Sequence, residues 1–120
     1  MLRRDVQIIE HVCDYCNDII RYVESSESSL DRFMADQMCQ HSIAFCIMQI
    51  GELVGKLSAE MRSSTASKIN WSAIKGMRNI VVHDYGNVDQ VEVWHTATMD
   101  VPVLKAFCES YLAEAEKDAH

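Results

Sequence analysis

The chain reads as an all-α bundle of four to five helices in a single domain over residues 1–120. Three observations lead there. Apolar residues recur at helical spacing along most of the length. One proline and four glycines leave few interruptions for long helices. The most β-prone run, Ile80-Val81-Val82, is too short and too embedded in helical pattern to make a strand. With 48% apolar residues over 120 positions, the chain can build a core without disulfides or metals.

The elements follow in order. Residues 3–23 form a first helix, with Val6, Ile9, Cys13, Cys16, Ile20 and Val23 at helical spacing. The run Ser25-Ser26-Glu27-Ser28-Ser29 is a loop that ends in an N-cap serine for a short turn, Leu30 to Met34. A long helix is expected from Asp36 to Ala59, and on it Gly51 and Gly55 share a face that admits another helix closely. Residues 61–69 read as a polar connection. Asn70 caps a helix from Trp71 to Val82, and Asp84-Tyr85-Gly86-Asn87 is a turn. Asp89 caps a further helix carrying Val91, Val93 and Trp94. Asp100-Val101-Pro102 reads as one more helix start, since proline's missing N–H does no harm in a first turn. Val103, Leu104, Phe107 and Tyr111 should face inward from that last helix, which runs to Lys117. Trp71 and Trp94 are expected in the core or an interface, and the seven methionines in an adaptable core or interface.

Composition excludes several classes. No apolar run reaches the length of a membrane span, and Met1-Leu2-Arg3-Arg4-Asp5 is not the start of a signal peptide, so a soluble, cytoplasmic protein is expected. Five cysteines spread over helical segments argue for reduced thiols. Cys13-x-x-Cys16, even with His11 or His41 beside it, lacks the second pair of a zinc site, so no metal is expected. The net charge is −7, unlike a protein that tracks phosphates over its whole surface. The exception is residues 56–78, where Lys56, Arg62, Lys68, Lys75 and Arg78 face one acid, Glu60.

Chemistry concentrates in Gly76-Met77-Arg78-Asn79-Ile80-Val81-Val82-His83-Asp84-Tyr85-Gly86. Cutting RNA through its own 2′-OH needs a base, a cation for the phosphorane and an acid for the leaving 5′-oxygen. Histidine titrates near neutrality and arginine grips phosphate with a permanent two-pronged charge. Arg78 and His83 are therefore the candidate catalytic pair, and Tyr85 can donate to phosphate or stack on a base. Five residues turn a straight helix by about 140°, so Arg78 and His83 do not share a face. Either Arg78 reaches round, or the helix ends before His83, or a second subunit completes the site. One histidine per motif makes a symmetric dimer attractive. The same residue types also simply end a helix, capping carbonyls and complementing its dipole.

The segment resembles the signature of the HepT family, within the HEPN superfamily of helical ribonucleases: Arg, four residues, His, one residue, Tyr. Arg78, His83 and Tyr85 match without gaps. Ile50-Gly51-Glu52, Trp71, Gly76-Met77-Arg78-Asn79, His83-Asp84-Tyr85, Val88-Asp89, Val93-Trp94 and Asp100-Val101-Pro102 resemble further family landmarks in order. The resemblance implies a HEPN-type bundle, dimeric, with the motif in a cleft between subunits. It implies a metal-independent ribonuclease without cofactor, acting on RNA (tRNA is one candidate) as the toxin of a toxin–antitoxin pair. Its partner would be an MntA-like nucleotidyltransferase that attaches AMP to Tyr85. Asn79 and Asp84 are supporting residues by the same likeness. Glu52, on the long helix, is either an ordinary exposed helical glutamate or a residue that orients Arg78 by an ion pair. Two rival expectations stand beside this one: a non-catalytic partner subunit of a nucleotidyltransferase, which the acidic charge suits, and a structural helical module.

Overall fold

The computed structural model describes residues 1–82 and 88–118, with Val82 described in its backbone alone. Every regular element among them is helical: α1 (Arg3–Ser25), α2 (Leu30–Met34), α3 (Gln37–Val54), α4 (Ala59–Ser64), α5 (Trp71–Val82), α6 (Gln90–His95) and α7 (Val101–Asp118), with a π-helical turn at Thr96–Asp100 joining the last two. The principal packings are α1 on α3, α1 on α7 and α3 on α5. The all-α bundle expected from the pattern is what forms.

Three of the caps are those the sequence marks, and Asp36 caps the long helix it was expected to begin. Ser29 accepts from the Arg32 amide at 3.3 Å, Asp36 from Cys39 at 3.0 Å, Asn70 from Ala73 at 3.1 Å and Asp89 from Glu92 at 3.2 Å. Ile9, Val12, Cys16, Ile19, Phe33, Ile43, Ile47, Ile50, Val93, Val101, Leu104 and Cys108 are wholly buried. Both tryptophans are in the core, Trp94 against Phe33 at 5.1 Å and Trp71 edge-on to Phe107 at 5.3 Å.

Two expectations need correction, and a third holds with an addition. The long helix stops at Val54, not Ala59, and the supposed polar connection holds α4. The cause is a contact 53 residues away in sequence: the buried Asp5 carboxylate accepts from the Ser58 amide at 2.9 Å and from its hydroxyl at 2.7 Å. Ser58 in turn caps α4 by accepting from Met61 at 3.1 Å. The chain must turn after Val54 to bring Leu57 into the core and Ser58 onto Asp5.

As expected, α7 opens at Val101 with Pro102 in its first turn, but it is not separated from α6. The chain stays helical from Gln90 through the π-turn, where the Val101 amide bonds back to the Thr96 carbonyl. A proline ring collides with the carbonyl four residues earlier in a regular helix, and a widened turn ahead of it relieves that clash. Lastly, Val103 points outward at 66% exposure, because Leu104, Cys108 and Tyr111 take the inner face of α7.

Candidate ribonuclease site

α5 carries the first half of the motif. Its inner face is Trp71, Ile74 and Met77, spaced three apart and buried. The Trp71 indole N–H donates to Thr65 Oγ1 at 2.8 Å, and that hydroxyl donates to the Met61 carbonyl at 2.8 Å. The start of α5 is thereby tied to α4, while Phe107 holds it to α7.

Further along, α5 meets α3 across glycine. A Cβ built on Gly51 would lie 2.8 Å from the Arg78 Cβ, a distance real Cβ atoms do not show, and 3.6 Å from its Cδ. One turn on, a Cβ at Gly55 would be 3.8 Å from Lys75 Cε. The pairing of 51 with 78 and of 55 with 75 runs the two helices antiparallel. The small-residue face expected at Gly51 and Gly55 is thus occupied by the stems of two cationic side chains.

This close approach brings the next residue, Glu52, to the arginine. Arg78 Nε sits 2.9 Å from Glu52 Oε1, with the two side chains 45% and 50% exposed. Ion pairs so exposed contribute about 0–1 kcal/mol to stability. The pair matters for direction: it aims a guanidinium whose stem is already confined by Gly51. Asn79 is exposed on the following position. His83, Asp84 and Tyr85 lie outside the described residues, as do the expected turn at 84–87 and His120.

Other chemistry is absent from what is described. No group of three or more His, Cys, Asp or Glu among the described residues could hold a metal ion. All five cysteines are free and buried. Burial pushes the Cys16 thiol up to about 12 and that of Cys46 up to about 11, and drives Cys108 up as well, so these are protonated core groups and poor nucleophiles. His11, His41 and His95 are exposed. A cavity of about 480 Å³ lies elsewhere, lined by Asp5, Ser58, Thr65, Phe107 and Tyr111. No helix among the described residues is long and apolar enough to cross a membrane.

The family model described as "Ribonuclease HepT-like" matches residues 12–111. "Putative RNase MJ1216" of Methanocaldococcus jannaschii is 27% identical over 117 residues, spanning 97% of this chain and 94% of that protein. "Putative RNase TTE0752" of Caldanaerobacter subterraneus subsp. tengcongensis is 30% identical over 97 residues, 81% of this chain and 84% of its own. "Probable ribonuclease HepT" of Thermococcus cleftensis is 27% identical over 96 residues, 77% and 87% of the two chains. No solved structure matches the chain. With a family model covering most of its length, the chain belongs to the ribonuclease HepT-like family, and RNA cleavage is the activity that membership assigns.

Proposed function

We propose that this chain is a metal-independent endoribonuclease and the toxin of a toxin–antitoxin pair, acting in the cytoplasm as a dimer of one-domain subunits. Arg78 binds the scissile phosphate and stabilises the charge of the phosphorane. His83 takes the 2′-OH proton as the oxygen attacks phosphorus, and its counterpart in a second copy protonates the departing 5′-oxygen. The products are a 2′,3′-cyclic phosphate and a 5′-hydroxyl. Tyr85 contacts the RNA, with Asn79 and Asp84 in support. Glu52 holds Arg78 in its working direction.

The observation that carries the proposal is the Arg78–Glu52 pair at 2.9 Å, on an open surface that a polymer can reach. A guanidinium serving only to cap a helix end would turn to carbonyls. This one is drawn sideways to the neighbouring helix.

The antitoxin in this proposal is an MntA-like nucleotidyltransferase. The Tyr85 oxygen attacks the α-phosphorus of ATP, pyrophosphate leaves, and the tyrosine keeps AMP. That adds bulk and negative charge beside a phosphate-binding arginine.

The test is RNA cleavage with a chelator present. Wild-type protein should cut, while Arg78→Ala and His83→Ala should lose at least about a hundredfold, as removal of one charge stabiliser or proton carrier does elsewhere. Cleavage by His83→Ala at the wild-type rate would overturn the mechanism. The net charge of −7 favours one rival, a non-catalytic partner subunit. That reading requires a stable complex with the nucleotidyltransferase and intact RNA under every condition.

A further inference from the structure

We propose that Lys75 is a second phosphate-binding residue of the site, holding a neighbouring phosphodiester of single-stranded RNA beside the one gripped by Arg78. The inference rests on the ribonuclease reading above and extends it by a subsite.

Lys75 lies one helical turn before Arg78, so the two rise about 4.5 Å apart along α5. Both stems lie against α3, Arg78 over Gly51 and Lys75 over Gly55, whose added Cβ would sit 3.8 Å from Lys75 Cε. The two cations are therefore aligned along the contact of α5 with α3, on the same face of α5. They differ in how their charge is met. Arg78 has Glu52 at 2.9 Å, whereas no carboxylate among the described residues comes within ion-pair distance of Lys75. Lys56, directly after Gly55, is a further exposed cation in this corner. In a chain of net charge −7, Lys75 and Lys56 set positive charge beside Arg78 that no carboxylate among the described residues meets at ion-pair distance.

An ammonium is suited to that place. It is a point charge with three rotatable donors on a flexible stem, and it can follow a backbone phosphate without fixing its orientation. The arginine, held by Glu52, does the orienting. A subsite of this kind raises affinity equally for substrate and transition state, so its loss should appear in KM and leave kcat alone. The competing explanation is packing: a lysine stem lying over glycine with its head in water. Lys75→Gln keeps most of the stem and removes the charge, so it separates the two.

The measurement is binding of fluorescent single-stranded RNA by the full chain as a function of salt, in a His83→Ala background that prevents cutting. Each phosphate contact to a single strand contributes about 0.7 to the slope of log K against log salt. Lys75→Gln should reduce the slope by that amount and weaken binding about fivefold at 0.1 M salt, the difference closing towards 1 M. Lys75→Arg should restore the slope. Arg32→Ala, which removes the same charge on α2 beside Glu27, should leave it unchanged. In the cutting enzyme, Lys75→Gln should raise KM at constant kcat.

An unaltered slope in Lys75→Gln, or the same loss in Arg32→Ala, overturns the subsite. So does the absence of RNA binding in the His83→Ala protein itself. The two proposals fail separately: intact RNA with the wild-type protein sinks the ribonuclease reading, whereas cleavage with an unchanged salt slope sinks the subsite alone.

Discussion

The role proposed for Arg78 requires little folding energy. Its pair with Glu52 is half exposed and adds little to folding. A guanidinium free to rotate, however, must lose that freedom each time it meets a phosphate. A carboxylate 2.9 Å from Nε meets much of that cost in advance. Glu52→Gln should therefore lower kcat by about tenfold, a loss of about 1.4 kcal/mol of transition-state stabilisation. KM should move less, and stability should stay within about 0.5 kcal/mol of wild type, as for a surface change. Kinetics set beside a thermal melt will check this. A melting temperature that falls in step with activity would mean that Glu52 is merely structural.

At the scale of the element, the α3–α5 contact decides where that arginine stands. Gly51 and Gly76 are both helical glycines with opposite expected responses. Gly51→Ala drives a Cβ to 2.8 Å from Arg78 Cβ, an atom too near the backbone to swing away. The helices must part, so we expect about 1–3 kcal/mol of destabilisation and loss of cleavage. A Cβ on Gly76 meets nothing within 4 Å among the described atoms. Gly76→Ala should stabilise α5 by up to about 1 kcal/mol through helix propensity alone. Denaturant melts of the two variants give the comparison. Gain of stability with loss of cleavage in Gly76→Ala would mark that open side of α5 as a contact surface for RNA or for a second copy. The α1–α4 contact works likewise at a distance, since Asp5 determines where α4 can begin.

For the molecule as a whole, the buried thiols set a limit on the alkaline side. Cys16 is pushed up to about 12 and Cys46 up to about 11, in both cases chiefly by burial, from the ordinary thiol value of 9.0. The folded state then holds protons that the unfolded state releases. Stability is full below about pH 9 and falls as pH rises from there through 11 and 12. Melting temperatures between pH 7 and pH 10.5 should be level to about pH 8.5 and decline beyond it. Thiol reagents at pH 8 should label the unfolded protein much faster than the folded one. Rapid labelling of Cys16 or Cys108 in the native state would show a core more open than this one.

Much of this molecule was legible along the chain because the signals are local. A cap is written within four residues of the helix it starts, so Ser29, Asn70 and Asp89 could be named as caps from spacing alone, and Asp36 as the start of the long helix. The motif helix, its tryptophan and its arginine were legible for the same reason, as was the small-residue face at Gly51 and Gly55. The breaks in pattern were not. Nothing near Ser58 announces that Asp5 will claim it, so α3 looked longer than it is. Pro102 marks the first turn of α7, but a sequence does not display the π-turn that joins that helix to α6. Val103 was assigned to the wrong face because apolar character alone does not fix which side of α7 is inward. Glu52 could be suspected from the chain, but its distance to Arg78 exists only once two helices lie across two glycines. Contacts between residues 26 or 53 positions apart are products of packing, and only the folded arrangement of the helices specifies them.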